Sequence, residues 1–160
     1  MKSFLILLLS VSLLGLDISE LRITYPKASS NVEIANELYD QLSSISLSDH
    51  PKLIAYKGGV LSLKAKNSKT IKDKKMYFQE SVQFLEAAVK NAPKDIEIRY
   101  VRLTVQEHAP KILKYNKNID EDKSFILEYY GTIKDTQLKA CILSYVKNSS
   151  LFSDEEKLPF

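Results

Sequence analysis

The sequence predicts an all-α domain of about six helices in antiparallel pairs, and three observations carry that prediction. Past Tyr25-Pro26, apolar residues recur three and four positions apart over successive segments of roughly 12 to 20 residues, the period of a helix face. Gly and Pro are scarce, four and five of 160 residues, so few positions interrupt long regular elements. The links between the periodic segments are short, which returns each helix alongside the one before it. With 44% hydrophobic and 27% charged residues, the chain reads as one globular domain. A domain of this size buries roughly 68 to 70% of its unfolded surface, enough for a core without disulfide or metal.

Tyr25-Pro26 itself reads as an extended or turn dipeptide, because the proline ring disfavours a helical residue before it. Ser29, Ser30 or Asn31 then offers a side-chain oxygen to cap a first helix, with Glu33 in its first turn and Ala35, Leu38, Tyr39, Leu42 and Ile45 along one face. Ser48 or Asp49 restarts the chain, and Pro51 is tolerated in the first turn of a second helix. The second stripe is Leu53, Ile54, Tyr56, Val60, Leu61, Leu63 and Ala65. Gly58-Gly59 in its middle costs helix propensity, which points to the close approach of a neighbouring helix there.

A third helix, about Lys72 to Asn91, aligns Phe78, Val82, Leu85 and Val89 beside Ser81, Phe84 and Ala88, and Pro93 stops it. In the fourth segment, Asp95 to His108, Ile96, Ile98 and Tyr100 alternate like a strand while Ile98, Val101 and Val105 repeat like a helix. Its length between Pro93 and Pro110 and the capping position of Asp95 decide for a helix. A fifth runs from about Ile119 to Lys134 with Phe125, Ile126, Tyr129, Tyr130 and Ile133 inward. Its acidic start, Asp120, Glu121 and Asp122, suits the positive end of the helix dipole. Leu138, Cys141, Ile142, Tyr145 and Val146 make a short sixth.

Ahead of these helices, Met1 to Leu16 places Lys2 before the apolar run Phe4 to Leu9, continued by Val11, Leu13, Leu14 and Leu16. That is the pattern of a secretory signal peptide, cut between about residues 15 and 20. It falls short of the ~20 apolar residues that span a bilayer, so no stable membrane span is expected after cleavage. The organisation that follows is a leader over 1–16, one helical domain over 17–152 and a polar C-terminal tail over 153–160, in an exported protein, periplasmic or secreted.

The inventory for chemistry is poor. One cysteine, Cys141, and two histidines, His50 and His108, leave metal centres and nucleophile–base pairs short of the residues they draw on. Both histidines fall at helix ends, and Cys141 sits in an apolar stripe as a small buried hydrophobe. The cluster Asp120, Glu121, Asp122 lacks the alternating oxygens and central glycine of a calcium loop. No catalytic residue, metal ligand or cofactor site is therefore assigned, and an enzyme is not expected. Six lysines against one acid mark Lys64 to Lys75 as a solvated basic face, whereas Ser153 to Phe160 is acidic. Without interleaved aromatics or several arginines, nucleic acid is not the partner.

One polar stripe stands apart. Asp95, Arg99, Arg102 and Gln106 fall at i, i+4, i+7 and i+11 of the fourth helix, a line of donors on one face. One reading of that line is a groove open to a partner. The alternatives are surface ion pairs, or burial of both arginines against carboxylates such as Glu97 or Asp122.

Phe78, Ser81, Leu85, Ala88, Val89 and Pro93 have the spacing of the second helix of a tetratricopeptide repeat, which this stretch resembles, and Gly58 and Leu61 with Ile54 resemble positions of its first helix. The resemblance spans Ile54 to Pro93 and departs from the repeat by about 11 inserted residues between Gly58 and Ser81, and by Arg99 and Arg102 at positions apolar in a next repeat. It implies a degenerate right-handed stack whose first helices line a concave binding face, which would gather Tyr56 and Lys57 of the second helix with Arg99, Arg102 and Gln106 of the fourth into the candidate partner groove, suited to an extended peptide or a carboxylate. The segments ITYPKAS, LIAYKGGVLSLKAK and AAVKNAPKDIEIRYVRLTVQEHAPKILKYNKNIDEDK are also similar to small exported helical proteins of Bacteroidota, which implies a Gram-negative envelope. The function expected from these readings is a non-catalytic interaction module, an adaptor or scaffold. The alternative is a periplasmic carrier that holds a small acidic or apolar ligand between helices.

Overall fold

The computed structural model describes residues 17–160, so the expected leader over 1–16 lies outside the described residues. The described chain is all-helical. Eight α-helices follow one another: α1 (Ile18–Ala28), α2 (Val32–Gln41), α3 (Pro51–Asn67), α4 (Ile71–Asn91), α5 (Ile96–His108), α6 (Ile119–Tyr129), α7 (Thr136–Asn148) and the single turn α8 (Asp154–Lys157). Short 3₁₀ turns, Lys111–Leu113 and Tyr130–Thr132, follow α5 and α6.

Most of these helices start on a side-chain cap, and two of the caps, Asn31 and Asp95, are ones the sequence offers, whereas α3 is capped by His50 in place of the expected Ser48 or Asp49. Asn31 accepts from the Ile34 N–H, Thr70 from Asp73, and Asp95 from Glu97 and Ile98. Pro51 opens α3 behind His50, whose ring nitrogen takes the Lys52 N–H, and His108 is the last residue of α5, so both histidines do sit at helix ends.

α1 is absent from the sequence expectation, and Pro26, read there as part of a turn, lies inside it. Proline removes the N–H that would bond the carbonyl four residues back, that of Arg22. The Cys141 thiol of α7 donates to this same Arg22 oxygen at 3.4 Å, which supplies the missing partner and joins α1 to α7. Nor is residues 153–160 a plain tail. Ser153 and Glu156 form a reciprocal capping box around α8, Lys123 pairs with Glu156 at 2.7 Å, and the Phe160 ring lies 4.2 Å from that of Tyr130.

The longest pair, α3 and α4, is joined by Ser68–Thr70 and packs closely and antiparallel around the expected glycines. A Cβ on Gly58 would lie 2.7 Å from Leu85 Cγ, and one on Gly59 would lie 2.7 Å from the Tyr25 hydroxyl of α1. At Gly58 hydrogen lets the Leu85 side chain and backbone of α4 come this close, and at Gly59, on the neighbouring face of α3, it makes room for the Tyr25 ring of α1. The Ser81 hydroxyl closes the contact by donating to the Gly58 carbonyl at 2.7 Å.

α5 packs against α3, α4 and α6 and is buried nearly all round, from Glu97 to Leu103 without a break. Ile98, Val101 and Leu103 fill the centre with Tyr56, Leu61, Leu85, Ile126 and Ile142. A helix buried on nearly every side carries apolar residues around most of its circumference and not in one stripe, which explains the mixed strand-like and helix-like spacing of its sequence. In α6, Ile126 and the following Tyr130 point inward as expected, but Tyr129 is 39% exposed.

Candidate functional site

Two buried carboxylates organise the polar interior, and both engage α5. Asp122, at the fourth position of α6, faces the stripe of α5 that the sequence singles out. Arg102 grips it with a bidentate fork, Nε to Oδ2 at 2.7 Å and Nη2 to Oδ1 at 2.7 Å. Arg99 Nη1 adds a bond to Oδ1 at 2.9 Å, and Gln106 Nε2 one to Oδ2 at 2.9 Å. A carboxylate offers about four acceptor positions, and here all four are used.

The cluster extends outward from that centre. Arg102 Nη1 reaches Glu86 of α4 at 3.1 Å, and the Tyr115 hydroxyl donates to the same carboxylate at 2.7 Å. Arg99 also bonds Glu121 and the Pro93 carbonyl, and its guanidinium stacks 5.3 Å from the Phe125 ring centroid. Gln106 turns its carbonyl to the Asn118 N–H at the start of α6. Burial works against the Arg102 charge, but the hydrogen bonds and charge of Asp122 outweigh it and hold the guanidinium protonated even more firmly than usual.

The second carboxylate, Glu97, sits on another side of α5 and is equally enclosed. Its Oε1 accepts from Arg22 Nε at 2.6 Å and from the Tyr56 hydroxyl at 2.8 Å, while Oε2 accepts from Arg22 Nη2 at 2.9 Å and pairs with Lys52 Nζ at 2.8 Å. Burial alone would raise its pKa, but the hydrogen bonds from Arg22, Lys52 and Tyr56 reverse the effect and set it below the ordinary glutamate value. Arg22 reaches on to Asp135 at the cap of α7 at 2.6 Å, so this cluster ties α1, α3, α5 and α7 together.

The expected groove of Tyr56, Lys57, Arg99, Arg102 and Gln106 is therefore not one open site. Arg99, Arg102 and Gln106 do converge, but on Asp122, at 7%, 2% and 1% exposure. Tyr56 belongs to the Glu97 cluster. Lys57 stands elsewhere and donates to the Ser43 and Ile45 carbonyls after α2, with Phe84 beneath its ammonium. The physical reason is the match of the Arg102 fork and of Arg99 Nη1 to one carboxylate at the α5–α6 contact, which turns these donors inward. Burial of both arginines against Asp122 is the alternative that holds.

An open concavity lies elsewhere. A groove of about 1680 Å³ runs between α1, the end of α3, α4, the end of α5 with its 3₁₀ turn, and α7. Leu63, Phe78, Val82 and Val105 give it apolar walls. Ile23, Ile71, Ile112 and Leu113 also line it, and these large side chains are exposed, Ile71 and Ile112 at 86% and 87%. Sequence reasoning misses this site because α1, one of its walls, is missed. The signal that finds it is the set of apolar residues outside the helix stripes, Ile71 at the start of α4 and Ile112-Leu113 after Pro110.

Among the described residues no cluster of three or more Cys, His, Asp or Glu is placed to hold a metal ion, and no helix is long and apolar enough to cross a membrane. No family model, curated protein or solved structure matches the chain.

Proposed function

We propose that this chain is an exported helical interaction module of the cell envelope, an adaptor or scaffold without catalytic activity that binds a protein or peptide. The observation that carries the reading is where bonding capacity is left unused. Glu97 and Asp122 have their acceptor positions filled by side chains of the fold, so neither is open to a substrate. The groove, by contrast, leaves four large apolar side chains uncovered around one concave surface, the mark of an interaction site. Its one arginine, Arg22, is held by Glu97 and Asp135, which leaves no fork for nucleic-acid bases.

In the same reading, α3 and α4 form the best-preserved repeat of a degenerate tetratricopeptide-like right-handed stack, with α5 as the first helix of the next. The contacts of Gly58 with Leu85 and Ser81 support that pairing. Export rests on the apolar leader. Cleavage before Asp17 retains the carboxylate that caps α1 through the Ser19 N–H at 2.8 Å, which narrows the expected cut to the early end of residues 15 to 20.

Two measurements test this. A pull-down from envelope extract recovers a saturable protein partner, whereas no partner together with turnover in an activity screen overturns the reading. Intact mass of the periplasmic protein shows loss of the leader, and a protein confined to membranes with Met1 to Leu16 attached is signal-anchored instead. The apolar lining of the groove also favours a second reading, a carrier of a small acidic or apolar ligand. Native mass spectrometry separates the two, because a carrier retains a stoichiometric small molecule.

A further inference from the structure

We propose that the groove seats an acidic amphipathic helical segment of a protein partner, its apolar face on the floor and its carboxylates against a lysine rim. This rests on the interaction reading and names the chemistry of the partner.

Charge carries the argument. Lys27 of α1, Lys66 of α3, Lys74 and Lys75 of α4, and Lys114 and Lys117 in the loop after α5 all line the groove. Glu86 is the one carboxylate among its lining residues, and it is occupied by Arg102 and Tyr115. Lys27, Lys74, Lys75, Lys114 and Lys117 form no ion pair among the described residues. The six lining lysines, Lys66 included, come from four separate segments of the chain, so the one-signed rim is a product of the fold and not only of the lysine-rich run 64–75. A concave surface lined by one sign of charge concentrates ligands of the other sign.

Size and lining select a polypeptide. About 1680 Å³ exceeds the roughly 300 to 1,000 Å³ typical of small-molecule pockets. A groove with an apolar floor matches the recognition mode in which a helix lays residues i, i+3, i+4 and i+7 into it. Ile71 and Ile112 stand out from the rim and lose their exposure when a helix lies between them and the floor.

Fluorescence anisotropy with the full chain and two labelled synthetic peptides tests the proposal. Both peptides carry Leu at i, i+3, i+4 and i+7; one has Glu at the flanking positions and the other Lys. The acidic peptide is expected to bind saturably, roughly tenfold or more tighter than the basic one, and to weaken as salt rises. The triple variant Lys74→Glu, Lys75→Glu, Lys114→Glu loses about tenfold in affinity for the acidic peptide with its helical circular dichroism unchanged. Equal binding of the two peptides, no binding of the acidic one by protein with a native spectrum, or an indifferent triple variant overturns the proposal. Binding of phosphatidylglycerol vesicles in place of the acidic peptide overturns it too and makes the surface a membrane contact. If an envelope pull-down recovers a saturable partner that the triple variant still captures, the interaction reading stands and the groove assignment falls.

Discussion

The face of α5 that carries Arg99, Arg102 and Gln106 is polar and sealed, whereas the groove beside α4 is apolar and open. Each is the reverse of what its composition suggests. Two guanidinium groups at 7% and 2% exposure sit in the interior because Asp122 meets them with hydrogen bonds that replace those of water. Two isoleucines at 86% and 87% exposure stay in water, and nothing among the described residues covers them. The contrast teaches that saturation decides the role here. A charged group whose partners are all internal holds helices in register, and an apolar group without internal partners is available to another molecule.

The largest effect expected from breaking this contrast lies on its sealed side. Asp122→Ala leaves Arg99 and Arg102 buried without their common counter-ion, a loss of about 3 to 5 kcal/mol in urea or thermal unfolding. Removing the arginines instead, Arg99→Ala with Arg102→Ala, leaves Asp122 uncompensated and costs a similar amount. A change of under about 1 kcal/mol in both variants would show that water reaches the cluster and return these residues to a surface role.

The second effect is a pH dependence with two limbs. Glu97 has its pKa depressed in the fold, so its contribution is complete above the unfolded value of about 4.3 and is lost as pH falls through the folded value. Tyr25 is the opposite case. Burial, opposed in part by the Thr104 hydrogen bond, pushes its pKa up to about 12, so its contribution is complete below about pH 10 and is lost as pH rises toward 12. The alkaline limb amounts to about 2 to 3 kcal/mol for this group alone. Tyr25→Phe is expected to make the alkaline limb shallower by this one group's share in chemical denaturation followed from pH 8 to 12, with Tyr56, Tyr100, Tyr115 and Tyr145, likewise raised by burial, keeping theirs, and an unchanged slope would contradict the burial assigned to Tyr25.

A smaller loss is expected at the tight face of α3. Gly58→Ala drives a methyl group toward Leu85, whose Cγ lies 2.7 Å and backbone nitrogen 3.1 Å from the built Cβ. Overpacking costs about 1 to 3 kcal/mol, and the better helix propensity of alanine returns up to ~1 kcal/mol. A net loss of about 1 to 2 kcal/mol by thermal unfolding is the expected result. Stabilisation would mean that α3 and α4 separate more easily than their packing implies.

The sequence held more of the fold than of the site. Helices α2 to α7 were legible because each carries apolar residues at helical spacing, helped at α2 and α5 by the caps Asn31 and Asp95. α1 was not, since Pro26 argues for a break by local rules, and the carbonyl it leaves free, that of Arg22, meets Cys141, 119 residues away in sequence. Ser153 and Glu156 do carry a local signal for α8, but the acidic composition there reads as a solvated tail. For the site, the spacing of Arg99, Arg102 and Gln106 revealed a shared face and could not reveal what it faces. Asp122 lies about five helical turns' worth of residues away, across a loop, and its neighbours Asp120 and Glu121 make it look like one more charge at a helix start.

The smallest stability change is expected on the open side of the comparison, and its smallness is the point. Ile71 and Ile112 project into water, so Ile71→Ser with Ile112→Ser removes almost no packing and should shift stability by no more than about 0.5 kcal/mol per site. The same double variant removes two apolar contacts at the rim of the groove and should weaken the acidic helical peptide severalfold in the anisotropy titration. Asp122→Ala at a temperature where it remains folded gives the complementary pattern, lower stability with peptide affinity nearly retained. A marked loss of stability in the isoleucine variant would mean that these side chains belong to the core after all, and the division between a sealed polar interior and an open apolar groove would not hold.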